Sequence, residues 1–345
     1  MGQSLTFLLM AWILNPCSGI IFFRINEILG VIMKFSRIAG TGGYLPEKIL
    51  TNHDLEKFVD TSHDWIVERT GIHQRHIAAD DETTATMAKE AAQVALKNAG
   101  IEADQLDLII VATCTPVNMF PSTASELQHL LGASKAGAFD IAAACTGFVY
   151  GLSIADQFIR SGQCKHVLVV GSEVLSRALD WKERTTCVLF GDGASAAVLS
   201  ASDEAGIIAT DLHSDGSLGD ILYLPQQRTD GSVVMRGREV FRHAVEKLVA
   251  SSHALLKQCG MTTKDLDWVV PHQANLRIIL YVLDKLHIPV EQSILTIDQQ
   301  ANTSAASVGL ALHEGVSSGR IQRGQTILLE AFGGGLVWGG ALIRF

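Results

Sequence analysis

Proline is scarce in this 345-residue chain, with seven in all, and charged residues make up only 18% of it, below the roughly 25% of an average globular protein. The first shortage excludes Pro-rich and collagen-like designs. The second, set beside 48% hydrophobic residues, excludes disorder as the main state. There is no basic excess, since Lys and Arg number 27 against 36 Asp and Glu for a formal net charge of −9. That balance argues against a general affinity for nucleic acid, and no block of like charges reaches the length of a tail. The six cysteines, at 17, 114, 145, 164, 187 and 259, form no CxxC pair and no Cys/His zinc spacing. Neither a disulfide framework nor a metal cluster is indicated, and a reducing compartment fits the pattern. The apolar run from Leu5 to Leu14 is shorter than the ~18 residues of a spanning helix. It ends at Asn15-Pro16, has no Lys or Arg before Arg24 and no A-x-A pattern after it, which argues against a secretory signal as well as against a membrane span.

What is present is a packed chain long enough, at roughly 150 residues per domain, for about two domains or one large α/β unit. Its 31 glycines suit close turns at strand ends. From Met33 the composition changes, and Lys34 to Gly40 reads as the opening strand of an α/β domain. Met33 is therefore expected as the natural start, with residues 1–32 as an extension.

The chain also repeats itself. Lys97, Gly100, Leu106 and Asp107 recur as Lys257, Gly260, Leu266 and Asp267, a constant offset of 257 − 97 = 160. Each copy reads as a helix end, a Gly C-cap, a short loop and a buried apolar strand. Val167 to Val170 and Ile327 to Leu329 keep the same spacing. Two similar α/β halves with buried sheets are predicted, 33–205 and 206–345.

Candidate chemistry lies at matching places in the halves. Cys145 stands where the strand ending Phe139-Asp140-Ile141 gives way to a small-residue helix. Unpaired N–H groups and a positive dipole end there lower a thiol pKa and offer donors to an oxyanion; an inert core cysteine at a tight packing point remains the other reading. His272, in Pro271-His272-Gln273-Ala274-Asn275, lies at the carboxyl end of a buried strand, where α/β sheets place their chemistry, although a lone His there also serves structure. Asn302 precedes a second small-residue helix, so it either caps that helix or faces Cys145 across a pseudo-twofold axis, for the offset maps Cys145 onto Ala305. Gly333-Gly334-Gly335 allows close backbone approach to a ligand, and Gly191-Asp192-Gly193 reads as a tight turn.

Together the segments around Cys145, His272 and Asn302, with the closing Gly-Gly-Gly-Leu-Val-Trp-Gly-Gly-Ala-Leu-Ile-Arg-Phe, resemble β-ketoacyl-ACP synthase III, the initiating condensing enzyme of type II fatty acid synthesis, from about Met33 to Phe345. The resemblance implies a thiolase-like α/β fold, with two duplicated halves in a five-layer α-β-α-β-α core, and a cytoplasmic homodimer. It implies a ping-pong reaction in which Cys145 takes the acyl group of an acyl-CoA, and malonyl-ACP then loses carbon dioxide and attacks the thioester. A low-pKa thiolate is the expected nucleophile, with the N–H groups of Cys145 and Gly334 as oxyanion hole and His272 and Asn302 as donors to the enolate. No metal or other cofactor is implied. By position, Trp65 and Arg184 match the pair that sandwiches the CoA adenine, Arg69 a residue near the CoA phosphates, and Asn275 one at the pantetheine arm. Arg242, Gln273, Arg277 and Lys285 match the surface that docks acyl carrier protein, while Asp284 replaces a basic residue of that patch. Phe120 falls where the family closes the acyl pocket across the dimer interface. A condensing enzyme of secondary metabolism, of polyketide or quinolone type, shares the same three residues and is the alternative.

Overall fold

The computed structural model describes residues 34–225 and 232–345; the expected start at Met33 and the extension before it lie outside the described residues. Two sheets carry the fold. The first contains β1 (Phe35–Tyr44), β2 (Leu108–Ala112), β3 (Gly137–Ile141), β4 (His166–Glu173) and β5 (Gly193–Ser202), in the order β1-β5-β4-β2-β3. The second contains β6 (Ile207–Ser214), β7 (Trp268–Pro271), β8 (Thr326–Gly333) and β9 (Val337–Arg344), in the order β6-β9-β8-β7.

The sheets are built alike. In the first, β1/β5 and β5/β4 are antiparallel while β4/β2 and β2/β3 are parallel. In the second, β6/β9 and β9/β8 are antiparallel, β8/β7 is parallel, and a lone parallel bridge from Val269 to Ser293 stands where a fifth strand would be. The 160-residue offset holds through the centre of the fold: β4 begins at 166 and β8 at 326, and the short turns Ala144–Thr146 and Ser304–Ala306 are one offset apart. It fails at the antiparallel side, where β5 and β9 begin 337 − 193 = 144 residues apart. Both anticipated Gly caps are left-handed, with φ +68 at Gly100 and +66 at Gly260.

Helices α1 (His63–Thr70), α2 (Thr84–Ala99), α3 (Thr123–Leu131), α4 (Gly147–Arg160), α5 (Gly237–Gln258), α6 (Leu276–Leu286) and α7 (Ser307–Ser317) complete the layers. Strand β2 reads LIIVA with every residue buried, the continuous apolar run of a strand covered on both faces. One apolar cluster joins α2 and α3 to the outer face of the first sheet. A second joins α5 and α6 to the outer face of the other sheet. Between the sheets, Phe148, Val149, Leu152 and Ile159 of α4 pack with Val308, Ala311 and Leu312 of α7. The layers are thus helix, sheet, helix, sheet, helix. Because α4 and α7 each enter that middle layer through a short turn, the two turns are brought together at its edge.

Candidate active site

A cavity of about 660 Å³ opens at that edge, and Cys145, His272, Asn302, Ser304, Phe332 and Gly334 all line it. Cys145 sits in the turn Ala144–Thr146 just before α4, with the backbone of Ala144 left-handed at φ 44. Its thiol is not lowered as the helix terminus suggested. Burial pushes it up to about 12, the charge of Glu173 acts in the same direction, and the Ser304 hydroxyl and the Cys145 N–H oppose them. The half-charge of a helix end does not match the cost of ionising a group removed from water.

His272 follows the last residue of β7, and its backbone N–H donates to Glu330 O at 2.8 Å. Both ring nitrogens are buried and have no hydrogen-bond partner among the described residues, and burial pushes the imidazole down to about 3. It is therefore neutral at pH 7 and offers one N–H. Asn302 is drawn across from the second half by a parallel bridge to Phe190: its N–H donates to Leu189 O at 2.9 Å and its carbonyl accepts from Gly191 N at 3.1 Å. Its Oδ1 accepts from Ser304 N at 2.9 Å, so it does brace the turn ahead of α7. That bond uses the oxygen and leaves the amide N–H₂ to donate, so the capping and catalytic readings coexist.

The glycine triplet serves the protein's own backbone first. A Cβ on Gly333 would stand 2.7 Å from Cys145 N, so only glycine lets β8 pass this close behind the nucleophile. Gly334 lines the cavity beside it. Gly191-Asp192-Gly193 is no simple turn: Asp192 is buried, and its carboxylate accepts from Ala78 N, Ser176 N and Ser176 Oγ at 2.6 to 2.8 Å.

Farther out, the guanidinium carbons of Arg69 and Arg184 each lie 4.8 Å from the centroid of the Trp65 ring. The sequence-predicted trio is thus assembled. A ring held between Trp65 and a guanidinium needs roughly 7 Å, two contacts of about 3.5 Å, so Arg184, half exposed and tied to Asp60 O, must swing aside to admit a purine. Asn275 lines the cavity, but both ends of its amide are engaged: Oδ1 accepts from Arg277 N at 2.9 Å to cap α6, and Nδ2 donates to Arg69 O at 3.0 Å.

Arg242 on α5 and Arg277 and Lys285 on α6 are all exposed, on helices joined by an edge-to-face contact of Phe241 with Tyr281. Asp284 is exposed beside Lys285. Gln273 does not belong to that surface. It is 1% exposed, with Nε2 donating to Pro271 O and Ile294 O and Oε1 accepting from Thr296 N; it pins the loop after β7 and reaches no partner. Phe120 is 86% exposed and, unlike Met119, does not line this chain's own cavity. Among the described residues no cluster of three or more His, Cys, Asp or Glu could hold a metal, and no helix is long and apolar enough to cross a membrane.

Three residues at the site escaped the sequence reading. Glu173, Ser304 and Cys114 surround the nucleophile, the first with a carboxylate that has no exposure at all. Glu173 had one signal, an acidic residue closing the apolar run Val167 to Val170, which reads equally as a strand emerging into solvent.

Residues 139–216 match the family model of 3-oxoacyl-[acyl-carrier-protein (ACP)] synthase III, and residues 256–345 match the model of its C-terminal part. A β-ketoacyl-[acyl-carrier-protein] synthase III of Xanthomonas campestris pv. campestris is 54% identical over 320 residues, 90% of this chain and 98% of that one. The crystal structure of 3-oxoacyl-[acyl-carrier-protein] synthase III from Aquifex aeolicus VF5 superposes with a TM-score of 0.87 at 48% identity, covering 90% of this chain and all of that one. The priming β-ketosynthase of the R1128 polyketide biosynthetic pathway has the same TM-score of 0.87 at 38% identity over 90% of this chain and 96% of its own. With a thiolase-like core, a cysteine, histidine and asparagine converging from its two halves, and this degree of identity along nine-tenths of its length, the chain belongs to the β-ketoacyl-ACP synthase III family.

Proposed function

We infer that the chain is an acyltransferase that condenses an acyl-CoA with malonyl-ACP, releasing CoA and carbon dioxide and giving 3-oxoacyl-ACP, the initiating step of fatty acid synthesis. The observation that carries this reading is the convergence of Cys145, His272 and Asn302 on one cavity. Each residue has a distinct task. Cys145 attacks the acyl thioester and holds the acyl group, splitting one difficult transfer into two easier ones. The backbone N–H groups of Cys145 and Gly334 receive the oxyanion of that step. After carbon dioxide leaves the malonyl group, His272 and Asn302 donate to the enolate oxygen. A neutral imidazole suits this task, because it stabilises the enolate without delivering a full proton to its carbon.

The exposed mouth formed by Trp65, Arg69 and Arg184 is suited to an adenine and its phosphates, with Asn275 along the path inward. The basic face of Arg242, Arg277 and Lys285 suits an acidic carrier protein on an otherwise acidic molecule. The halves 33–205 and 206–345 supply the nucleophile and the two donors respectively. We place the enzyme in the cytoplasm as a homodimer in which Phe120, largely exposed on the single chain, closes the partner's pocket. The reaction as written calls on no cofactor.

The test is to incubate the protein with acyl-CoAs from acetyl to decanoyl, locate the adduct by peptide mass, and then add malonyl-ACP. A short-chain adduct on Cys145 that turns over to 3-oxoacyl-ACP supports the initiating role. An adduct formed only with long chains, or turnover only with other acceptors, supports a secondary-metabolic synthase instead. No adduct on Cys145 with any primer refutes the reading.

A further inference from the structure

A buried carboxylate lies behind the nucleophile. Glu173 ends β4 with no exposed surface. Its Oε2 accepts from Thr115 Oγ1 at 2.6 Å, Cys114 N at 3.0 Å and Thr113 Oγ1 at 3.2 Å. Its Oε1 accepts from Ser304 Oγ at 3.1 Å and Cys114 N at 3.2 Å. Ser304 opens the turn that mirrors the one carrying Cys145, and its φ of +50 repeats the left-handed backbone of Ala144 one offset earlier. A hydroxyl that donates to Glu173 keeps lone pairs for another donor, and the turn of Ser304 packs against the turn of Cys145, with both residues lining the one cavity. Thiol, hydroxyl and carboxylate form a buried chain, and they come from both halves of the molecule.

We propose that Glu173, through the Ser304 hydroxyl, takes the proton of Cys145 as the thiol attacks the acyl thioester. The inference rests on the acyl-Cys145 reading given above. The S–H proton moves to Ser304 Oγ while the Ser304 proton moves to Glu173 Oε1, and sulfur keeps the electron pair. That pair forms the bond to the acyl carbon, and the bond from that carbon to the CoA sulfur then breaks. The proton on Glu173 returns through Ser304 to the departing CoA thiolate, leaving acyl-Cys145, neutral CoA thiol and an ionised Glu173.

The physical reason is charge conservation in a dry place. Losing the Cys145 proton to solvent would set a second negative charge beside Glu173, which both burial and Coulomb repulsion resist. Passing it to Glu173 moves one negative charge from oxygen to sulfur and adds none. Burial raises the Glu173 carboxyl, which makes it a better acceptor, whereas His272, pushed down to about 3, is a poor one.

Alkylation of Cys145 by iodoacetamide, followed by peptide mass against pH in the full chain, tests this without any acyl-CoA; a wrong assignment of primer or acceptor therefore leaves the result intact. Wild type should alkylate at a rate nearly level from about pH 6.5 to 8.5, because the proton is exchanged internally. Glu173→Gln and Ser304→Ala should be at least tenfold slower at pH 7 and should quicken about tenfold per pH unit, as an unassisted thiol does. Ser304→Gly removes the same hydroxyl and suits the left-handed backbone, so it serves if the alanine variant misfolds. His272→Ala tests the other candidate base, because a profile altered by that variant alone would assign the proton to the imidazole. A carboxylate acting by its charge alone predicts the opposite, faster alkylation in Glu173→Gln. That result, or unchanged profiles in the Ser304 variants, or a profile altered only by His272→Ala, overturns the proposal.

Discussion

Replacing Gly333 by alanine puts the packing behind the nucleophile to a quantitative test. The new Cβ would stand 2.7 Å from Cys145 N, 3.1 Å from Ala144 Cβ and 3.2 Å from Cys145 Cβ. Relief to an ordinary contact of 3.4 Å requires a movement of 3.4 − 2.7 = 0.7 Å. Strand β8 cannot supply it cheaply, being paired to β7 on one side and β9 on the other, so the turn carrying Cys145 must take most of the shift. Overpacking of this kind costs about 1–3 kcal/mol, a loss of several degrees in melting temperature for a chain of this size. The larger effect should be kinetic, since a misplacement approaching 1 Å costs up to about 10²-fold in rate. Rapid-quench mass spectrometry of acyl-Cys145 formation, with calorimetry on the same sample, reads both quantities. Gly216→Ala is the control, because no atom of the described residues lies within 4 Å of a Cβ there, and it should alter neither. If Gly333→Ala acylated at the wild-type rate and melted within about a degree of wild type, the close passage of β8 behind Cys145 would be wrong.

His272→Ala and Asn302→Ala should still form acyl-Cys145 yet lose about 10²–10³-fold in condensation, the worth of one oxyanion donor; equal loss of acylation in both would refute the division of tasks. Trp65→Ala should raise KM for acyl-CoA about tenfold or more, a stacking contact of roughly 1–2 kcal/mol, while leaving the rate of acyl transfer at saturation nearly unchanged. Glu330 is buried with Ser252 Oγ donating to it at 2.8 Å, and burial raises its carboxyl from 4.5 to about 7. The folded state thus holds this proton more tightly than the unfolded one, and the stability it confers is full below pH 4.5 and lost as pH rises to about 7. The loss amounts to about 3 kcal/mol. Glu330→Gln should accordingly melt higher than wild type at pH 8, with the gap closing toward pH 4.5; a gap independent of pH counts against an ionised Glu330 as its source.

Which features were legible in the sequence follows from how each is determined. Strands β2, β4, β7 and β8 are almost wholly buried, so they read as apolar runs at a fixed offset. The strand that the second half lacks left no such sign: a single bridge at Ser293 needs no apolar run. Cys145, His272 and Asn302 were visible because each interrupts the end of such a run or the start of a small-residue helix. Gln273 departs from the surface that the resemblance gives it because its amide is consumed inside by Pro271, Ile294 and Thr296. Exposure depends on what folds over a residue, and those groups come from as far as position 296. The thiol differs for the same reason, since a helix terminus is written locally and the burial that raises the thiol is not.

Duplication explains why the site needs both halves. Two turns one offset apart, each with a left-handed residue, Ala144 at φ 44 and Ser304 at φ 50, enter two helices that share the middle layer. A symmetric pair of cysteines there would crowd two ionisable thiols into one dry pocket. Here the second slot holds Ala305, which is 1% exposed, in place of a thiol. Its flanking residues, Asn302 and Ser304, face the first slot's cysteine and bring a carboxamide and a hydroxyl in place of a second nucleophile. The divergence of the copies thus converts a repeated backbone into one nucleophile and one set of donors. Restoring the symmetry should undo this: in Ala305→Cys the added sulfur would enter a fully packed site, where one extra heavy atom costs about 1–3 kcal/mol, and a lowered melting temperature with acyl groups still confined to Cys145 is the expected result. Acylation shared equally between positions 145 and 305 would show that the donors, rather than the slot, choose the nucleophile.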